Sequence, residues 1–418
     1  MRSLVGDPGD DDLDRTSERQ VLRRVLRAFL DLAADEEAVR RQMESELGHD
    51  ADTWARLGTE LGVLGLGVPE SMGGAGGTLV DQAIAAEEFG RVLLPGPVTG
   101  TLHLAIPALL ALPDREAAAR WLGPLIHGER TAALAVSEPG PRFTPGHVEV
   151  HAQGDRLTGQ VRHVVDGAAA ELLLVAASTE RGLGLFAVEE AERTPQSTMD
   201  LTRRRAHLRF DGTRGHLLAG PSDAPAVLDR AFAVGSVLQA AGQAGGARHL
   251  LDICLAYATT RMQFGRPIGS FQAVKHRCVD MHLLVERARS TAYHAAQVLV
   301  TAPAASVIDA NIAQAVCSEA YQQVASMAIQ VLGGIGFTWD HPAHLYFKRA
   351  VTDAATLGSA ADHRAVIAAS VLDTAEPTWQ LAVSGHAGNP PRPRSHDRRP
   401  RSADALPDGG RLRGGPTP

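Results

Sequence analysis

Lysine is almost missing from this chain of 418 residues: Lys275 and Lys348 are its two lysines, and arginine supplies the rest of the 41 basic residues. That leaves no lysine-rich patch for nucleic acid, and the 48 acidic residues give a formal net charge of −7. The arginine bias reads as codon composition rather than function. Cysteine is scarce as well. Cys254, Cys278 and Cys317 lie far apart on helix-like patterns, which indicates neither a disulfide framework nor a zinc knuckle and makes a reducing cytoplasm the simplest home. Aromatic residues make up 4% of the chain, and the longest apolar stretches, such as Leu172-Leu173-Leu174-Val175, fall far short of the roughly 18–20 residues of a membrane span. The first residues, MRSLVGDPGDDDLD, are acidic where a signal peptide would be basic and then apolar, so no export is expected.

What is present is enough apolar material, 44% of residues, for a large core. At about 100–200 residues per domain the length suggests two or three domains. Periodicity divides the chain further. After an N-terminus (residues 1–17) expected to be disordered, residues 18–127 read as a helical domain. Val21, Leu22, Val25, Leu26, Phe29 and Leu30 make a helical stripe, with further helices at Thr53–Leu61, Leu79–Val92 and Arg115–Leu125 and a glycine loop at Gly73–Gly77. Residues 128–222 read as a β-domain, from the alternation in Val148–Ala152 and Ala206–Phe210 and the β-branched Val161–Val165. Residues 223–372 return to long Ala-rich helices, at about 225–260, 270–301, 304–331 and 342–356, which suggests an antiparallel bundle. Gly235, Gly242, Gly245 and Gly246 argue against the first of these helices unless close packing needs small residues. The last segment, 373–418, is a Pro/Arg/Gly-rich tail, expected to be disordered and solvated.

Four motifs carry the chemistry. The first is Arg261-Met262-Gln263-Phe264-Gly265 followed by Ile268, Phe271 and Gln272, between two long helices. The second is Gln330-Val331-Leu332-Gly333-Gly334-Ile335-Gly336-Phe337 at the end of another. Upstream lie Leu66-Gly67-Val68-Pro69-Glu70 with Glu87-Glu88-Phe89-Gly90-Arg91, and Ala135-Val136-Ser137-Glu138-Pro139-Gly140. Arginine suits a pyrophosphate because its planar fork donates two parallel hydrogen bonds, and glycines let the backbone approach a ligand closely. Taken singly, a Gly-Gly-x-Gly turn is more often a helix C-cap, and no strand precedes it as a dinucleotide fingerprint would require.

In this order and spacing the four motifs resemble the acyl-CoA dehydrogenase family over roughly residues 18–372. The resemblance implies an α+β fold: an N-terminal helical domain, a middle β-barrel-like domain and a C-terminal four-helix bundle. It implies FAD as cofactor, an acyl-CoA thioester as substrate and an electron-transfer flavoprotein as electron acceptor. It also implies that Arg261, Phe264, Gln272, Gln330, Gly333 and Gly334 bind the FAD of a neighbouring subunit, and that Val136 and Ser137 contact the flavin of their own chain. No nucleic acid and no membrane span enter the reading.

The departures from the family pattern bear on mechanism. The family's glutamate base, which removes the substrate α-proton, usually falls where this chain has Leu357, within Thr356-Leu357-Gly358-Ser359. In other members it falls near Gly235-Ser236. Neither place holds a base. The family's W-[IV]-[TS] flavin contact stands here as His163-Val164-Val165, without the hydroxyl. Asp353, four residues before Leu357, is a weak candidate base against the alternative of an ion-paired structural carboxylate. His341 and His344 lack a third convergent ligand, so no metal is expected. Three readings remain open: a subunit that works with a homologous, glutamate-bearing acyl-CoA dehydrogenase subunit, a self-sufficient enzyme with a nonstandard base, and a noncatalytic homologue.

Overall fold

Helices at both ends of the chain enclose a central sheet in the computed structural model, which describes residues 17–137, 140–144, 148–302 and 306–372. The sequence expectations for 1–16, for Glu138 and Pro139, and for the tail from 373 lie outside the described residues. The first helices are α1 (Ser17–Ala33), α2 (Glu36–Glu44), α3 (Ala51–Thr59), α4 (Leu79–Arg91), α5 (Ile106–Leu110) and α6 (Arg115–Ile126). Caps set their starts. Asp35, Asp50 and Asp114 accept from backbone N–H groups at the heads of α2, α3 and α6, and Thr78 with Asp81 forms a capping box on α4. Sequence periodicity missed α2, which is short and strongly charged, and the π-helical turn Val98–Ala105 that runs into α5.

The strands are β1 (Ala132–Ala135), β2 (Val150–Gln153), β3 (Arg156–Val165), β4 (Leu172–Thr179), β5 (Gly182–Val188), β6 (Glu192–Gln196), β7 (Arg205–Arg214) and β8 (His216–Ala219). They form one sheet in the order β6-β7-β3-β2-β4-β5-β8, with β1 parallel to β4. In β7 the alternation read from sequence sends Ala206, Leu208 and Phe210 into the core. The pairing of β3 with β7 shifts register between Val161 and Val164, and His163 and Asp166 take left-handed φ values of 58° there.

The bundle consists of α7 (Ala224–Thr260), α8 (Gln272–Thr301), α9 (Ser306–Leu332), α10 (Ala343–Asp353) and α11 (Ala360–Leu372). A short hairpin, β9 (Met262–Gln263) and β10 (Arg266–Pro267), links α7 to α8. The glycines of α7 are explained by packing. A Cβ on Gly245 would lie 1.9 Å from the Glu87 carbonyl oxygen, and one on Gly246 would lie 2.6 Å from the Tyr321 hydroxyl. Helices α4 and α7 therefore cross at backbone contact, with Gly90 facing Gly242. Beside this crossing sits a buried ionic knot: Glu87 accepts from Arg23 (2.8 Å), Arg289 (3.0 Å) and Tyr293, and Glu88 accepts from Arg23 and Arg27. Burial pushes the Glu87 carboxyl up, but Arg23 and Arg289 outweigh it and hold the group below its usual range.

Candidate active site and cofactor-binding surface

The sequence-predicted residues gather in two places. Helices α7 and α9 run in the same direction, since Gly246 meets Tyr321 and Cys254 meets Ala328 further along. Helix α8 runs against α9, with Ala288 beside Cys317. Counting equal numbers of residues from these contacts brings the end of α7, the start of α8 and the end of α9 to one end of the bundle. Arg261, Gln272 and Gly333-Gly334 are thus brought together by topology, and all are exposed. Arg261 closes α7, its backbone N–H bonded to the Tyr257 carbonyl. Gly333 has φ 66°, and a Cβ on Gly333 or Gly334 would meet nothing within 4 Å. Gln330 is also exposed, one turn before them.

Large apolar side chains are exposed around the same end: Phe264 is 91% exposed, Phe337 74% and Trp339 59%. A monomer rarely leaves so many such groups in water. The chemistry of this end fits a dinucleotide. Exposed Arg261 and Gln272 supply donors for anionic oxygens, and the bare Gly-Gly turn leaves room for close approach.

The second place is interior. Leu357 is fully buried, and a Cβ built on Gly235 would lie 3.3 Å from its Cδ1, 2.8 Å from Leu104 Cδ2 and 3.0 Å from the His103 carbonyl oxygen. The two alternative base positions that the resemblance implies are therefore neighbours in space, and the side chains of Leu104 and Leu357 crowd Gly235. Leu357 holds a left-handed φ of 62°, unusual for a leucine. The loop is held by Gln239, whose Nε2 donates to the carbonyls of Asp353 (2.8 Å) and Thr356 (3.1 Å), and by His363 Nε2, 2.9 Å from the Leu357 carbonyl. Burial lowers the His363 pKa to about 4, which keeps the ring neutral.

Asp353 sits in a buried ion cluster, 3.7 Å from Arg203 Nε, and burial raises its pKa against the pull of Arg203 and Arg349. Arg349 donates to Asp200 at 2.7 Å and also to Thr202, while Arg203 donates to Thr99. Arg205 Nη2 donates to Thr356 Oγ1 at 2.6 Å. Asp166 accepts from the Gly100 N–H, and burial lifts its pKa to about 6. Against this cluster lies a cavity of about 20 Å³, room for a single water, bordered by His103, Arg203, Gln239, Tyr321, Arg349 and Asp353. Polar atoms of His103, Gln239, Tyr321 and Asp353 there make no hydrogen bond within the protein, and a water in that space could reach them. Sequence reading found Asp353 but not its partners. The run Arg203-Arg204-Arg205 ahead of an alternating strand, and Arg349 on the apolar face of a helix, were the available signals.

Among flavin-contact positions of the chain's own β-domain, Val136 is buried and the Ser137 hydroxyl is buried without a partner. Val165 is buried, and His163 is exposed with Nδ1 2.9 Å from Gln196 Oε1. His341 and His344 do not converge. His341 Nδ1 accepts from the Ala343 N–H, and the His344 ring packs on Trp339. Among the described residues no group of three or more His, Cys, Asp or Glu side chains could hold a metal ion, the three cysteines are free and buried, and no helix is long and apolar enough to cross a membrane.

Comparison with known proteins agrees with this geometry. Residues 16–129 match the family model for the acyl-CoA dehydrogenase N-terminal domain and residues 226–372 that for the C-terminal domain. Acyl-CoA dehydrogenase IpdE2 of Mycolicibacterium smegmatis is 36% identical over 343 residues, which cover 82% of this chain and 95% of that protein. The ChsE4-ChsE5 complex from Mycobacterium tuberculosis contains a chain 29% identical, with TM-score 0.78, covering 88% of this chain and all of that one. A variant of the Tcur3481-Tcur3483 steroid ACAD is 29% identical, with TM-score 0.75, covering 83% of this chain and 96% of that one.

Proposed function

This chain belongs to the acyl-CoA dehydrogenase family, whose members are FAD-dependent oxidoreductases acting on CH–CH bonds, and from that premise we propose that it is one subunit of a heteromeric enzyme. In this reading it pairs with a homologous subunit that carries the glutamate, and the complex converts an acyl-CoA thioester to its α,β-enoyl form. The observation that carries the proposal is the approach of Leu357 to Gly235: neither place for a base holds a carboxylate, and Leu357 Cδ1 would lie 3.3 Å from a side-chain carbon at 235. A leucine cannot take the substrate α-proton, so that proton passes to the partner's carboxylate.

FAD, when bound, supplies the acceptor for the β-hydrogen that leaves as hydride. This chain's residues would hold the cofactor: Arg261 would offer donors to the pyrophosphate, Gln272 would add an amide donor, and Gly333-Gly334 would leave room for the dinucleotide against the backbone. Exposed Phe264 and Phe337 exclude water from the joint once the partner covers them. Asp353 is assigned no role as base, because Arg203 is its ion-pair partner and the adjoining cavity holds a single water. The two related structures, the ChsE4-ChsE5 complex and the Tcur3481-Tcur3483 steroid ACAD, carry two component names each, and the second supports a bulky polycyclic acyl group as the substrate class. The same proposal includes an electron-transfer flavoprotein as acceptor and the cytoplasm as location.

The test is coexpression with a glutamate-bearing homologue. The complex should bind flavin and reduce an artificial acceptor with acyl-CoA, while this chain alone should do neither. Arg261→Ala should reduce the flavin content of the complex at least severalfold. Undiminished flavin in that mutant complex would remove the cross-interface role.

A further inference from the structure

A further cavity shares no lining residue with the bundle-end surface or with the interior around Leu357. Its walls come from the end of α1, the start of α2, the end of α4, the middle of α7 and the start of α10. At about 280 Å³ it approaches the range of about 300–1,000 Å³ of small-molecule sites, which join apolar walls to a few convergent polar groups. Buried Val39, Leu93 and Leu345 supply apolar wall. His249 lines the same space, its ring braced on that of Tyr346 at 5.0 Å between centroids, and the Tyr346 hydroxyl is itself fixed by donating to the Arg91 carbonyl at 2.6 Å. Among the described residues neither nitrogen of His249 has a hydrogen-bond partner. Burial lowers its pKa to about 4, so the ring is neutral and one nitrogen keeps a lone pair that can accept an N–H.

The charge of the lining decides the sign of a ligand. Asp31, Asp35 and Glu36 are exposed and line the cavity, against Arg91. Each carboxylate has one oxygen in use: Asp31 takes Arg91 Nη2 at 2.7 Å, Asp35 accepts from the Ala38 N–H at the head of α2, and Glu36 Oε1 takes Nε and Nη2 of Arg40. The other oxygen of each is without a partner among the described residues. Arg91 is already engaged, since its Nε serves Glu88 at 2.8 Å. An anion entering here would meet the three carboxylates, whereas a group rich in N–H donors would find acceptors in them and in His249. We propose that this cavity binds a small organic cation, an ammonium group on an apolar stem, with its head taken by Asp35, Glu36 and His249 and its stem by Val39, Leu93 and Leu345.

The experiment is calorimetric titration of the full chain, alone and in complex with the glutamate-bearing homologue. The probes are hexylammonium and, as its anionic counterpart of the same length, hexanoate. Hexylammonium should bind saturably and hexanoate should not. Two variants, each checked for native circular dichroism, locate the binding. His249→Phe keeps a ring beside Tyr346 and removes both nitrogens. Asp35→Asn combined with Glu36→Gln removes two charges, and asparagine caps a helix as well as aspartate does. Each variant should weaken hexylammonium about tenfold, as expected for a lost charge-assisted hydrogen bond. Glu37→Gln removes a neighbouring charge of α2 that pairs with Arg41 and does not line the cavity, so it should leave the affinity unchanged. If the double variant fails to fold, His249→Phe decides. Hexanoate binding as tightly as hexylammonium, an affinity equal in wild type and variants, or no saturable binding at all would overturn the proposal. A loss in Glu37→Gln equal to that in the double variant would also overturn it, by showing attraction to the surface of α2 at large. The titration needs no flavin, so its failure leaves the subunit reading untouched.

Discussion

The two ends of the bundle's chemistry differ in opposite ways from an ordinary monomeric enzyme. The outer end, with Arg261, Gln272 and the Gly-Gly turn, is unfinished: donors and large apolar groups stand exposed to water. The interior at Leu357 is over-finished, packed with leucines and with an ion cluster in which Arg203, Arg205 and Arg349 face Asp166, Asp200 and Asp353. A binding surface needs spare donors and uncovered area, and a catalytic cleft needs room. This chain keeps the first and has filled the second. The contrast separates cofactor binding from proton abstraction within one fold, and each half can be disturbed without the other.

The largest effect is expected from the interior. Arg349 is almost fully buried, and removing it takes the ion-pair partner from Asp200 and leaves Asp353 with Arg203. Arg349→Ala should cost about 3–5 kcal/mol of stability, because an uncompensated buried charge remains. Urea unfolding monitored by circular dichroism gives the number. A loss near that of a surface substitution, within about 0.5 kcal/mol, would mean the cluster is not the clamp described here.

A smaller effect follows from pH. Burial lowers the pKa of His103 to about 3 and of His249 and His363 to about 4, so all three stay neutral in the folded chain where the unfolded chain protonates. Stability is then complete above about pH 6.5, and it falls as pH drops from there toward 4, because the unfolded state takes up more protons. Asp166 works the other way. With a folded pKa of about 6, it favours the folded chain at low pH and loses that contribution as pH rises through about 4 to 6. Burial raises Asp353 in the same sense as Asp166, and three histidines outweigh two aspartates, so the urea midpoint should be lower at pH 5 than at pH 7. Equal midpoints would show that the interior is more hydrated than its packing indicates.

How much of this could be read beforehand differs between the two regions for a physical reason. The outer end is local: Arg261 to Gln272 is one contiguous motif, and its neighbour in space is the terminal turn of α9, which ends at Leu332 just before Gly333. Contiguous motifs survive in sequence. The interior is assembled from β3, β7, α7 and the α10–α11 loop, so Arg205 meets Thr356 across 151 positions, and no periodicity announces such a pair. Absence was legible there, as the missing base at Leu357, but the reason the space is closed was not. The glycines of α7 show the same limit. In sequence they weakened the helix, whereas in the fold Gly245 and Gly246 are what allow Glu87 and Tyr321 to approach it.

The smallest effect on folding should sharpen the comparison most. Gly334 has open space where a Cβ would go, and its backbone is not left-handed, unlike that of its neighbour Gly333. Gly334→Ala should therefore leave stability within about 0.5 kcal/mol of wild type. If the turn exists to let a dinucleotide approach, the same methyl group should lower the flavin content of the complex with the partner. Gly333→Ala should also lower it, but with about 1–2 kcal/mol of folding cost from the strained backbone. A Gly334→Ala complex with wild-type flavin would mean that the bare turn serves only to end α9. Lost flavin at unchanged stability would mark the outer end as a surface shaped for a ligand that the chain's own fold does not require.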